Sequence, residues 1–121
     1  MQVTNRPFIT NQATNTNFTS APTPLMNMVL YSIQAVFSGG TVNGTAILQV
    51  SDDQVNPYNP LSFPPTNWTN YPDSQFTITT TGSTTWNVEG AGYNWVRVVF
   101  IDLSGGTATA TVNAVINGKG F

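Results

Sequence analysis

Three groupings of side chains in this 121-residue sequence have the functionality to do chemistry. One is a lone guanidinium, Arg97, inside the apolar run YNWVRVVFIDL (93–103). A second is the Ser51-Asp52-Asp53 triplet that closes an alternating run. The third is a set of aromatics in a proline-rich stretch, Tyr58, Phe63, Trp68 and Tyr71, with Trp86 and Trp95 near by in sequence.

Each grouping points to a different job. If Val96, Val98 and Phe100 face a core, Arg97 shares the other face of its strand with Tyr93, Trp95, Val99 and Ile101. That second face is too apolar for open water, so a further layer must cover it. A guanidinium under such a cover needs a partner. The available acids are Asp52, Asp53, Asp73, Glu89 and Asp102. The expectation is a structural ion pair from Arg97 to Asp52 or Asp53, with a ligand-binding arginine as the alternative. The Asp52-Asp53 pair has the hard oxygens that calcium prefers but lacks the further acidic spacing of a calcium loop, so no metal is expected. The aromatics Tyr58, Trp68, Tyr71 and Trp95 are candidates for interface or glycan contacts. For Trp68 the expectation is that it folds back as a plug on a sheet edge while the prolines stiffen its approach, with glycan contact as the alternative.

Catalysis finds no constellation. Histidine and cysteine are both absent, which removes the commonest general base, the commonest metal ligands, disulfides and thiol nucleophiles. Ser51 has no histidine to activate it. Five carboxylates permit paired-acid glycosidase chemistry on paper, but no spacing supports it. No enzymatic role and no cofactor are expected. Charged residues make up 7% of the chain against roughly 25% in an ordinary domain. A net charge of −2 is the wrong footprint for nucleic acid. No apolar run approaches the ~20 residues of a membrane helix. The N-terminus lacks the basic start and apolar core of a signal peptide, so synthesis in the cytoplasm is expected. A surface this poor in charge is weakly protected against association and suits being covered by neighbours.

The elements that would position these residues have a period of two. Residues 1–24 are polar and rich in Asn and Thr, with only Phe8, Ile9 and Phe18 to bury; they read as an extended arm, disordered alone or laid across a neighbouring subunit, with a short strand at Pro7–Thr10. In 28–40, Tyr31, Ile33, Ala35 and Phe37 share one face. In 44–53, Ala46, Leu48 and Val50 do the same. Five prolines in residues 54–74 make that stretch a loop. Runs at 75–81 and 84–88, then at 93–103 and 107–116, complete three expected hairpins about glycine turns. The last run puts Ala108, Ala110, Val112, Ala114 and Ile116 inward. No helical stripe competes. The expected fold is all-β: an antiparallel β-sandwich or jelly roll of six to seven short strands over residues 25–121, behind the arm.

Several stretches taken together carry a resemblance: YSIQAVFSGG, GTAILQVSDD, PTNWT, WNVEGAGYNWVRVVF and the closing GKGF. The strand with Ile33-Gln34, the run Gly44 to Asp52, Trp68 and the Trp95–Val99 strand resemble small β-sandwich structural proteins of tailed bacteriophages, over residues 28–121. The resemblance implies a virion component without enzymatic activity: a head decoration (cement) protein, a head fibre base or a tail accessory protein. Its partners would be the major capsid protein or another virion protein. A homo-oligomer, namely a homotrimer, is expected separately, because the second face of the Trp95–Ile101 strand and the polar arm both need a cover. The same layout is similar to discoidin-like carbohydrate-binding sandwiches, which is the alternative function.

Overall fold

The computed structural model describes residues 2–25, 30–56, 58–59, 64–89 and 93–120. Within them run β1 (Gln2–Ala13), β2 (Phe18–Thr19), β3 (Thr23–Pro24), β4 (Leu30–Ser38), β5 (Gly44–Ser51), β6 (Thr69–Asn70), β7 (Phe76–Ile78), β8 (Gly82–Glu89), β9 (Trp95–Asp102) and β10 (Thr111–Gly120). Sheet I has the order β1-β10-β4-β8, and sheet II the order β2-β9-β5-β6, with β3 also on β9 and β7 also on β5. All of these pairings are antiparallel.

The expected all-β sandwich is the fold, and its topology is a jelly roll. The pairs β1·β10, β2/β3·β9, β4·β8 and β5·β6/β7 nest inside one another, as in one long hairpin rolled into two layers. The broken edges of sheet II make ten segments fill eight strand positions, rather than the six or seven expected.

The alternating pattern dictates which side of each strand is dry. Ile33, Leu48, Phe100 and Ile116 are fully excluded from solvent, and the inward positions read from the sequence on β4, β5, β9 and β10 are all buried. Val and Thr suit these strands because branched side chains pack well on a pleated surface. Each large apolar side chain buried in this way contributes about 1.5–3 kcal/mol.

None of the three expected hairpins forms, because each of those turns crosses from one sheet to the other. β4 pairs with β10 and β8, whereas β5 pairs with β9, β6 and β7. β7 and β8 lie in different sheets, and so do β9 and β10. The link from Gly39 to Asn43 shows why. Val42 in its middle is buried, so the link dips into the end of the core. Thr41 O accepts from both Thr109 N and Ala110 N, which ties this crossing to the one between β9 and β10. Gly44 is confined as well: a Cβ there would collide with the Phe100 ring and the Ile101 carbonyl.

Residues 1–24 are likewise no separate arm. β1 is an edge of sheet I through its pairing with β10, and β2 and β3 line β9. Register shifts flank Ile9 on β1, and both Phe8 and Ile9 pack on the core. Such a bulge lets neighbouring residues serve one face. Thr14 is fully buried, its hydroxyl donating to Ala110 O at 2.7 Å.

Two buried serines close the broken edges of sheet II. Leu48 and Val98 are opposite each other at the sheet's centre. On one side Ser20 lies between β2 and β3: its N–H donates to Val98 O, and its Oγ accepts from Val98 N at 2.8 Å. On the other side Ser74 Oγ accepts from Leu48 N and donates to main-chain carbonyl oxygen at Leu48 and Tyr71. The sheet therefore has a row in which side-chain hydroxyls stand in for strand partners.

Candidate functional site

Arg97 sits on the outer face of sheet II, as the alternation requires. Register decides its partners. Gln49 of β5 lies directly opposite Arg97, and Asn70 of β6 lies opposite Gln49. Arg97 Nε donates to Gln49 Oε1 at 2.7 Å, and Gln49 Nε2 donates to Asn70 Oδ1 at 2.9 Å. Trp68 immediately precedes β6 and lies over the guanidinium, with Cζ 4.2 Å from the ring centroid. A cation at that distance is drawn to the electron-rich ring face. Burial pulls the Arg97 pKa below its ordinary value, yet a guanidinium stays protonated throughout the working pH range.

The expected ion pair from Arg97 to Asp52 or Asp53 is absent, and geometry explains it. The last β5–β9 pair is Ser51 with Trp95, so the two aspartates lie beyond the strand end, past Trp95 and away from Arg97. Asp53 has another task. Its carboxylate accepts from Thr66 N at 2.7 Å, Asn67 N at 3.0 Å and Asn67 Nδ2 at 3.0 Å. Those bonds close the proline loop back on its own start and hold the Asp53 pKa below its ordinary value, the main-chain bond from Asn67 contributing most. Asp102 does the same for the β9–β10 crossing, accepting from Ser104 N and Oγ and from Gly106 N.

The four candidate aromatics separate. Trp68 joins Arg97. Trp95 is fully buried on the outer face, its indole N–H donating to Asp53 O at 3.0 Å. The loop after β5 is thus part of the layer that the apolar second face required. Tyr71 meets Tyr93 edge to face with centroids 6.1 Å apart. Tyr58 is 96% exposed. Phe63 lies outside the described residues.

Gln49 and Asn70 were invisible to sequence reasoning because their role depends on β5–β9 pairing between strands distant in sequence. What results is a half-buried cation roofed by an indole and held by an amide relay. Among the described residues neither Arg97 Nη has an acceptor, so the outer edge of the fork can receive an oxygen ligand. A separate cleft, lined by Asp52, Asp53, Asn67, Thr69, Asn70 and Tyr93, shares only Asn70 with this relay. Nothing in this arrangement pairs a nucleophile with a base.

No family model and no curated protein matches the chain. Among solved structures, the chain is similar to the SPBc2 prophage-derived protein YomS, with a TM-score of 0.56 and 13% identity over 97% of this chain and 92% of that one. At that identity the likeness is one of fold.

Proposed function

We propose that the chain is a non-enzymatic structural protein of a bacteriophage virion, a head decoration (cement) protein that binds the shell and neighbouring copies of itself as a homotrimer. The observation that carries this reading is the end-to-end likeness of its jelly roll to a prophage-derived protein. Two surface features support it. The outer face of sheet I presents uncharged rows across its strands: Asn5, Asn117, Ser32 and Asn87 in one, Pro7, Val115, Gln34 and Thr85 in the next. These two rows can be covered without stranding charges, while the next row of the same face carries Lys119 and Glu89. On sheet II, the open Nη edge of Arg97 offers a carboxylate of a shell subunit a forked, charge-assisted seat. The carbohydrate alternative fares worse, because Trp95 is buried and Trp68 gives one ring face to Arg97.

The test is mass spectrometry of purified particles of the encoding phage, together with binding of the pure protein to shells stripped of it. The expected result is a protein present in many copies that rebinds as a trimer. Absence from particles, with a monomer retained on a polysaccharide column, would overturn the reading in favour of the carbohydrate module.

A further inference from the structure

The four sheet edges differ in how they end. β1 contains Pro7, which has no N–H to offer, two register shifts, and Asn11 at a φ of 47°. The β2/β3 edge consists of two-residue pieces among Pro22 and Pro24. The β6/β7 edge is interrupted by Pro72 and by Asp73 at a φ of 57°. Proline, bulges and short edge strands are devices that prevent another chain from adding a strand. β8 has none of them. Its eight residues pair with β4 without a register shift, from Gly82 opposite Phe37 to Glu89 opposite Leu30. No described residue hydrogen-bonds its outer edge, and residues 82–88 carry no charge.

We propose that β8 pairs antiparallel with β8 of a second copy of this chain across a two-fold axis, which joins the two copies of sheet I into one continuous sheet. Only an extended strand satisfies a row of free N–H and C=O groups, and a copy of β8 brings no like charge against its mate. The register is centred on Thr85. Thr85 then faces its own copy, Ser83 faces Asn87, Thr84 faces Trp86, and Glu89 falls beyond the last pair. Centring on Trp86 instead would set two bulky indoles opposite each other and bring Glu89 against Ser83. The contact is isologous and independent of the virion reading. It is also distinct from the three-fold contact of a trimer, since a closed shell accommodates two-folds between trimers.

The natural chain has no cysteine, so Thr85→Cys introduces a sole thiol on an exposed position. Opposed residues of an antiparallel pair have Cα atoms about 4.5–5.5 Å apart, within disulfide range. Mild oxidation is expected to link Thr85→Cys into a covalent dimer at least ten-fold faster than Thr77→Cys, an exposed control on β7. In sedimentation velocity, Thr85→Lys is expected to weaken self-association ten-fold or more with the circular dichroism unchanged. Cross-linking no faster than the control overturns the proposal. So does a wild-type two-fold assembly that Thr85→Lys leaves intact, or a wild-type chain that shows no two-fold association, which is the outcome expected if a strand of some other protein occupies this edge.

Discussion

Sheet I and sheet II share one core but finish their hydrogen bonding by opposite means. Sheet I uses four long strands in nearly continuous register and leaves bare an outer face of amides, hydroxyls and valines that also carries Leu30 and Lys119. Sheet II has two long strands, β5 and β9, flanked by fragments of two or three residues. There, side chains complete what the main chain leaves undone: Ser20 and Ser74 at the centre, Asn17 Oδ1 accepting from Asp102 N, and the Asp53 carboxylate gathering the loop. The lesson is that stability in sheet I resides in backbone pairing and apolar contact, whereas in sheet II it depends on individual polar atoms. Surface substitutions should therefore be cheap on the first sheet and expensive on the second.

The largest effect tests the continuity of sheet I. Deleting residues 2–24 removes β1, β2 and β3, and with them an edge of both sheets. Loss of a cooperative melting transition and of the β-sheet circular dichroism is expected. A folded truncated chain would show that these strands are an accessory after all. Next come the serines of sheet II. Ser20→Ala or Ser74→Ala leaves the buried N–H of Val98 or Leu48 without its acceptor, and chemical denaturation should show a loss of about 1–3 kcal/mol for each. A loss below half a kcal/mol would mean that the fragments can close without them.

Arg97→Met removes one charge-assisted hydrogen bond and one cation–ring contact, so about 1–2 kcal/mol is the expected loss. Breaking a buried ion pair would cost about 3–5 kcal/mol. Adding Asp52→Asn or Asp53→Asn should restore nothing; recovery in either double variant would bring back the ion pair. The acid response of the proline loop follows from Asp53. Its folded pKa lies below the ordinary 3.8, so the stabilisation is complete above that value and disappears as pH falls through the lowered one. Tryptophan emission should shift to the red over that interval as Trp95 loses its cover, and Asp53→Asn should abolish the acid step. The smallest effect belongs to the outer face of sheet I, where Gln34→Ala should change stability by no more than about 0.5 kcal/mol.

The sequence made one kind of information plain and hid another. Period-two alternation identifies the dry side of a strand, so Tyr31 to Phe37 on β4 and Ala108 to Ile116 toward the end of the chain were legible. It does not identify the neighbour. A glycine turn between two alternating runs serves a hairpin and a sheet-to-sheet crossing equally well. A clue was present in GGTVNG (39–44), a link longer than a tight turn and with an apolar residue at its centre. The same gap explains the site: Arg97 was located on the correct face, but its partners Gln49 and Trp68 follow from β5–β9 and β5–β6 pairing, which no local pattern specifies. The composition of residues 1–24 suggested a loose arm because Asn and Thr are weak burial signals, yet both form acceptable edge strands when the neighbouring β10 and β9 supply the ladder.

The nested pairing also imposes an order of events on synthesis. β1 leaves the ribosome first, but its partner β10 leaves last, Gln2 pairing with Gly120. Closing such long loops carries an entropic cost that grows with their length. The innermost pair, β5 with β6, can close early, and β5 with β7 next; β4 with β8 follows, then β3 and β2 with β9. Until β10 is made, β1 has no mate and the β10 gap stays open beside β4. The strand made first must wait the longest.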